Sequence, residues 1–258
     1  MKLLALTLVT SVCYDPYYLG RVNDPEGYSD DVLMQIMIMQ IEDNGQFRCK
    51  VQGTKSLDEW PGLILNETGN VKIIDWVNGQ IGTIAGTINL SWCPAEVQDL
   101  RVTELGLHGT VDTDQLPSML TVLHLFGNVF KGTFSTKGLP NVMLDVCINS
   151  NHLVGSLNLS NLPPPLEVFD ASKNLFSGQI DLTRLPSNLI ELCLCSNSFV
   201  GPINFTILPR QLEYLSLEDN NIKQDAVFLP RLGENQEVFL QGNHIGLVTG
   251  LQELNHRL

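Results

Sequence analysis

Six asparagines, Asn128, Asn151, Asn174, Asn197, Asn220 and Asn243, stand 23 residues apart with no drift. A strict period kept over so long a stretch marks stacked supersecondary units, and it outranks any local reading of helix or strand. Two further columns keep the same step: Gly109, Gly132, Gly155, Gly178 and Gly201, and Pro94, Pro117, Pro140, Pro163, Pro186 and Pro209. The period predicts a solenoid, a quasi-linear stack in which each unit buries its apolar residues against its neighbours alone. The 258 residues then form one stack with end segments rather than two globular domains.

Laid over one another, the units explain their own spacing. One reads Leu120-x-x-Leu123-x-Leu125-x-x-Asn128-x-Phe130-x-Gly132-x-Phe134, then Leu139-Pro140; another reads Leu189-x-x-Leu192-x-Leu194-x-x-Asn197-x-Phe199-x-Gly201-x-Ile203-x-Phe205, then Leu208-Pro209. The last two leucines of the first segment alternate across a short strand and point inward. Parallel stacking sets successive strands ~4.8 Å apart. An asparagine side chain carries two donors and an acceptor, so where a strand turns it can satisfy the backbone groups left unpaired. The phenylalanine after it fills the core. Each glycine marks a tight bend or a close backbone approach. Leu-Pro suits an extended, polyproline-like return on the convex side, since proline fixes φ and donates no hydrogen bond.

The ends depart from the period. Gln224 replaces the glycine, Leu229-Pro230 comes two residues early, and Val238 to Asn243 gives a last strand. Before the repeats, Ser29-Asp30-Asp31 predicts the start of a helix over about 30–42. The run from Val32 to Ile41 is apolar on nearly every side and cannot face water, so it is expected to cover the open end of the stack. The domain layout that follows is 1–70 as N-terminal segment and cap, 71–246 as eight repeats, and 247–258 as C-terminal cap.

These motifs resemble the leucine-rich repeat, in the plant-type variant that carries Gly-x-Ile after the asparagine. Trp60-Pro61-Gly62-Leu63 and Gly69-x-Val71-x-x-Ile74-x-Trp76 are similar to the N-terminal cap and first strand of extracellular plant-type members, with Leu65 standing where a cap cysteine is usual. The Leu-Pro that ends the units is most like the repeats of kinetoplastid surface-antigen-type proteins. The resemblance implies a leucine-rich-repeat solenoid of the α/β horseshoe class, mostly β, with a parallel concave sheet, an irregular or extended convex side and a helical N-terminal cap. It also implies recognition of protein or peptide partners, although this fold serves many unrelated functions.

The residues two, four and six before each asparagine are those the fold does not need, and they are expected to face the concave surface. They supply the candidate ligand-binding set: His124, Phe126, Asp145, Asn149, Asp170, Glu191, Tyr214, Glu218 and Phe239. Phe126, Tyr214 and Phe239 are aromatic anchors. The face also carries Asp99 and Glu237, against a single Arg101. Such a surface favours a neutral or basic protein or peptide. The formal net charge of −13 argues against nucleic acid and anionic membrane, both of which require a basic surface. No apolar run is long enough to span a bilayer.

Six cysteines, at 13, 49, 93, 147, 193 and 195, lack the spacing of a dense disulfide framework. Cys49 and Cys93 are one pair that proximity to the N-terminal end allows. Cys193 and Cys195 share a strand face, but Cys147 is two units away and His124 is expected further still, so no metal site and no cofactor is predicted. Four sequons begin at Asn66, Asn89, Asn158 and Asn204, the last three in one column; they read equally as glycosylation sites or as the by-product of an Asn-rich repeat. Residues 1–13 read either as a short signal peptide or as a buried segment. Localisation follows that choice: secreted or cell-surface in the first case, cytoplasmic in the second. The histidines are scattered over different columns, and no nucleophile elbow, phosphate loop or metalloprotease motif is present, so no catalytic residue is predicted. The expected function is a non-enzymatic recognition module. The alternative is a scaffold subunit of an intracellular assembly that docks through the apolar segment Val32 to Ile41.

Overall fold

A computed structural model describes residues 27–42, 45–47, 56–82, 84–229 and 235–250. Residues 1–13, Cys49 and the end of the expected C-terminal cap lie outside the described residues, and so do the signal-peptide and Cys49–Cys93 readings.

The repeat becomes a spatial register. Strands Val71–Val77, Asp99–Thr103, Val122–His124, Asp145–Cys147, Val168–Asp170, Glu191–Cys193, Tyr214–Ser216 and Glu237–Phe239 lie side by side and parallel. Residues one unit apart are direct neighbours: Phe169 lies opposite Leu192, and Leu192 opposite Leu215. The middle residues of the five inner three-residue strands, Leu123, Val146, Phe169, Leu192 and Leu215, are fully buried. Phe130, Leu153, Phe176 and Phe199 form a second buried column across the stack. Each unit therefore supplies half of two interfaces and has no core of its own.

The asparagines tie the units together. In Asn174, Oδ1 accepts from the Leu153 N–H at 3.0 Å, while Nδ2 donates to the carbonyls of Ile148 at 2.9 Å and Ser172 at 3.2 Å. Asn151, Asn197 and Asn220 repeat this pattern on residues shifted by one unit. Each side chain thus reaches back into the preceding unit, satisfying buried backbone groups at the turn that no strand pairing serves.

The residue before each asparagine, and before Leu105 in the same column one unit earlier, carries a feature with no clear mark in the sequence. Glu104, Ser150, Lys173, Ser196 and Asp219 all have φ between +51° and +57°, and the column continues with Gly127 at +69° and Gly242 at +70°. The left-handed turn is demanded by the path of the chain at every unit, whether or not a glycine is available for it.

On the return side of each unit the expected extended chain pairs with its neighbours. Strands Gly86–Thr87, His108–Gly109, Val129–Thr133, His152–Gly155, Leu175–Gly178 and Ser198–Phe199 form a second parallel sheet. Three of its glycines hold φ near +90°: +88° at Gly132, +92° at Gly155 and +86° at Gly178. A Cβ on Gly132 would only touch Thr110 Cγ2 at 3.4 Å, so backbone conformation rather than crowding requires glycine there. The chain then makes 3-10 turns at Leu90–Trp92, Thr113–Gln115, Thr136–Gly138 and Leu159–Asn161. The residue before proline takes polyproline angles, as at Leu139 with φ −64° and ψ 136°. The proline carbonyl then accepts a turn hydrogen bond, for example Met143 N–H to Pro140 O at 3.1 Å.

At the N-terminal end a helix, α1 (Asp30–Met37), is shorter than the expected 30–42. The Ser29 side chain makes no cap bond; Asp30 instead accepts the Val71 N–H at 2.6 Å, linking the helix to the first parallel strand. Gln40–Ile41 then pairs antiparallel with Gly86–Thr87, and Leu63–Leu65 pairs antiparallel with Val71–Val77. Both sheets thus have their N-terminal edge covered. Phe47, Trp60 and Trp76 cluster beneath, with ring centroids 4.8–6.5 Å apart. At the other end Lys223–Phe228 and His244–Thr249 pair as a separate parallel ribbon. There the Gln224 side chain accepts the Ile203 N–H at 2.9 Å, a role no glycine can fill.

Candidate functional site

The concave sheet presents three columns. The outer positions of each strand alternate with the buried middle residue, and the chain continues the alternation two residues past the strand. Across the strands the central column runs Arg101, His124, Cys147, Asp170, Cys193, Ser216, Phe239 by direct register. All of the predicted set, His124, Phe126, Asp145, Asn149, Asp170, Glu191, Tyr214, Glu218 and Phe239, falls on this face and is half-buried. Their neighbours Thr103, Ser172, Cys193 and Ser216 are buried outright. The presented surface is therefore narrower than the full set of outward positions.

Two groupings emerge. Toward the C-terminal end, the Tyr214 and Phe239 rings meet with centroids 5.1 Å apart, beside Glu191 and Glu218. Tyr214 is held above the usual phenol range by burial first, then by neighbouring negative groups including Glu218. Toward the N-terminal end, His124 Nε2 lies 2.8 Å from Asp145 Oδ2, and the Cys147 thiol reaches Asp145 Oδ1 at 3.5 Å. The His124 ring also stands 6.3 Å from that of Phe126. Arg101 is engaged by its own strand neighbour, Nε to Asp99 Oδ1 at 2.9 Å. Among the described residues, Asp145, Asp170 and Glu191 have no lysine or arginine partner.

His124 stands three strands from Cys193, further than Cys147, as the period implies, but it is the immediate neighbour of Cys147 itself. Parallel register puts His124 directly opposite Cys147. The neighbouring unit's histidine is thus closer to Cys147 than Cys193, which is two strands away. The sequence carried this signal, because 124 and 147 differ by one period.

The thiols are not poised as nucleophiles. Burial, then Asp145, Asp170 and Glu191, push the Cys147 thiol well above the ordinary thiol range. Burial, then the hydrogen bond to Glu191 Oε1 at 3.2 Å, does the same for Cys193. A protonated thiol is a weak nucleophile. The Cys147 and His124 hydrogen bonds both end on Asp145 rather than on each other, so His124 is not placed as the base of a Cys–His pair.

The sequon asparagines have a structural task. Asn89, Asn158 and Asn204 each accept a hydrogen bond from the backbone N–H two residues on, at 3.2, 3.2 and 2.9 Å. Asp112 and Asp181 do the same in the same column. In these five units the column holds a side chain that makes an Asx turn, whereas Ser135 in the same column makes no such bond. Asn89, Asn158 and Asn204 are exposed on the return side, away from the concave face.

The apolar segment is covered by the chain itself. Leu33, Met34, Met37, Ile38 and Ile41 are all buried, and Val32, Ile36 and Met39 are half-buried. No described helix is long and apolar enough to cross a membrane.

No family model matches the chain, and no curated protein does. Solved structures do. The crystal structure of Pollen Receptor Kinase 3 matches with a TM-score of 0.55 at 20% identity, over 88% of this chain and 100% of that one. The BIR3–SERK2 complex of Arabidopsis thaliana matches at 0.49 and 24%, over 62% and 88%. The leucine-rich-repeat ectodomain of the receptor kinase SOBIR1 of Arabidopsis thaliana matches at 0.41 and 16%, over 85% and 96%. At these identities the likeness is one of fold. With its two parallel sheets and its unit-by-unit register, the chain is a leucine-rich-repeat solenoid.

Proposed function

We propose that this protein is a non-enzymatic recognition module that holds a neutral or basic protein or peptide on the concave face of its solenoid. The carrying observation is the composition of the presented columns: half-buried carboxylates at Asp145, Asp170, Glu191 and Glu218, flanked by the touching rings of Tyr214 and Phe239. None of these side chains is needed by the repeat, and aromatic anchors beside fixed charge are what a protein interface uses. The similar fold of Pollen Receptor Kinase 3, a receptor by its name, supports the reading by analogy. The Leu-Pro units support the finer likeness to kinetoplastid surface-antigen-type repeats. The scaffold alternative loses its motivating surface, because the segment Val32 to Ile41 is packed against the chain's own first units.

The test is charge reversal of Asp170, Glu191 and Glu218 to lysine, with circular dichroism as a check on folding. A partner captured by the wild type is expected to be lost. Undiminished capture by the folded variant removes the concave face from consideration.

A further inference from the structure

We propose that His124, Asp145 and Cys147 form a zinc-binding site on the concave face, with water in the fourth position. Their ligating atoms all lie within 4.8 Å of one another. Asp145 stands between the other two, its Oδ2 2.8 Å from His124 Nε2 and its Oδ1 3.5 Å from Cys147 Sγ. Tetrahedral zinc with N and O ligands at about 2.0 Å and S at about 2.3 Å separates its ligands by roughly 3.3–3.6 Å. With every separation at or below 4.8 Å, side-chain shifts of about an ångström bring the three groups to that arrangement. The backbone is equally suited. His124 and Cys147 are direct partners on adjacent parallel strands, and Asp145 is two residues from Cys147 on the same face, so all three are carried by sheet rather than by loop.

The donor set selects the metal. One imidazole, one thiolate and one carboxylate suit zinc and exclude magnesium and calcium, which take oxygen ligands. The ion takes the place of the proton between His124 Nε2 and Asp145: the neutral imidazole binds through Nε2, and its one proton moves to Nδ1 by exchange with solvent. Cys147 binds as thiolate and releases its proton to solvent, and Asp145 binds as carboxylate. The two ligand charges balance the ion. Arg101 is the neighbouring cation on the other side of His124, but its guanidinium is paired to Asp99. Asp170 borders the site across Cys147. The His124 and Asp145 side chains are 15% and 30% exposed, which leaves the fourth position open to the concave surface. A three-ligand site with an open position is the form zinc takes when it engages a further ligand rather than only bracing a fold.

The probe is Co²⁺ added to the purified full-length chain, read by absorption. Thiolate coordination in a four-coordinate site gives near-ultraviolet charge-transfer and visible ligand-field bands. The wild type is expected to show both at one equivalent and to lose them on addition of Zn²⁺. Cys147→Ser is expected to abolish the charge-transfer band. His124→Asn is expected to weaken Co²⁺ binding at least about tenfold, since even the partners behind zinc ligands are worth 10–100-fold. Cys195→Ser is expected to leave the spectrum unchanged. Thermal melts establish that each variant is folded, and either of the first two suffices for the test. A wild type without bands, bands that survive both variants in folded protein, or bands lost instead in Cys195→Ser would overturn the site.

Discussion

Each asparagine of the ladder makes several buried backbone hydrogen bonds, and some carbonyls have a second donor: Ile148 O also accepts from Asn151 Nδ2, and Ser172 O from the Ser150 N–H. Replacing Asn174 with alanine leaves the Leu153 N–H and the Ile148 and Ser172 carbonyls buried without that partner. A loss of about 2 kcal/mol is expected in urea unfolding, since the Leu153 N–H loses its acceptor and one buried unsatisfied group costs roughly 1–3 kcal/mol. A loss below about 0.5 kcal/mol would contradict the role assigned to it. The residue before each asparagine points the other way. Ser196 holds φ at +54°, a conformation that costs an L-residue on the order of 1–2 kcal/mol. Glycine removes that strain and adds about 0.5–1 kcal/mol of chain entropy on folding. Ser196→Gly is thus expected to be net stabilising in the same assay, whereas Ser196→Val is destabilising. This column was not legible in the sequence. Glutamate, serine and lysine are not signatures of left-handed backbone, and the two glycines at 127 and 242 look like isolated turn residues. The thiols give a pH signature. Cys147 and Cys193 are held above the ordinary thiol range, so the folded state keeps their protons after the unfolded chain has lost them. The stability this contributes is fully present below the unfolded thiol pKa, about 8.5, and is lost as pH rises above it. Calorimetry from pH 7.5 to 10.5 is expected to show a falling melting temperature, and the fall is shallower in Cys193→Ser.

At the scale of the element, the edges decide what the array can do. The antiparallel strand Gln40–Ile41 ends the second sheet only because Gly86 opposes it. A Cβ on Gly86 would collide with the Gln40 carbonyl, and its φ of +119° disfavours any other residue. Gly86→Ala is therefore expected to release the segment carrying α1 while the later repeats stay folded. Limited proteolysis cutting near residue 40 in the variant but not in the wild type would report this; identical digestion patterns would refute it. The concave strands were legible in advance because Leu-x-Leu alternation at a fixed step admits one reading. The second sheet was not. Its strands are short, they begin immediately after the asparagine, and segments such as Val129-Phe130-Lys131-Gly132 carry a glycine that reads as a bend. The sequons show a similar ambiguity. Asn158 and Asn204 stand where Asp112 and Asp181 serve equally as Asx-turn acceptors, so the motif by itself did not separate turn chemistry from modification. Only the column-by-column comparison shows the shared backbone task.

For the molecule as a whole, the columns reduce to a scaffold that is periodic and a face that is not. The scaffold columns repeat a few residue types from unit to unit. The concave columns change chemistry at every step, from Arg101 through His124 and Cys147 to Phe239. Position on the face could be read from the period, and all nine of the selected residues are on it. Which neighbours meet could not be read so directly: the pairing of His124 with Asp145, and of Tyr214 with Phe239, depends on side-chain reach across one register step. The formal net charge of −13 sets the long-range field, which steers a basic partner and weakens as salt shortens the Debye length to about 8 Å at physiological ionic strength. The most direct measurement of the central claim is a binding selection from a random peptide library, read by fluorescence polarisation against three proteins. These are the wild type, a concave variant with Asp170, Glu191 and Glu218 changed to lysine, and a control with the exposed Asp58, Glu59 and Glu67 changed to lysine. The two variants carry the same change in net charge. The account predicts that the wild type and the control bind the same basic, salt-sensitive peptides, and that the concave variant loses them by tenfold or more, about 1.4 kcal/mol. Equal loss in the two variants, or none in the concave one, would contradict it.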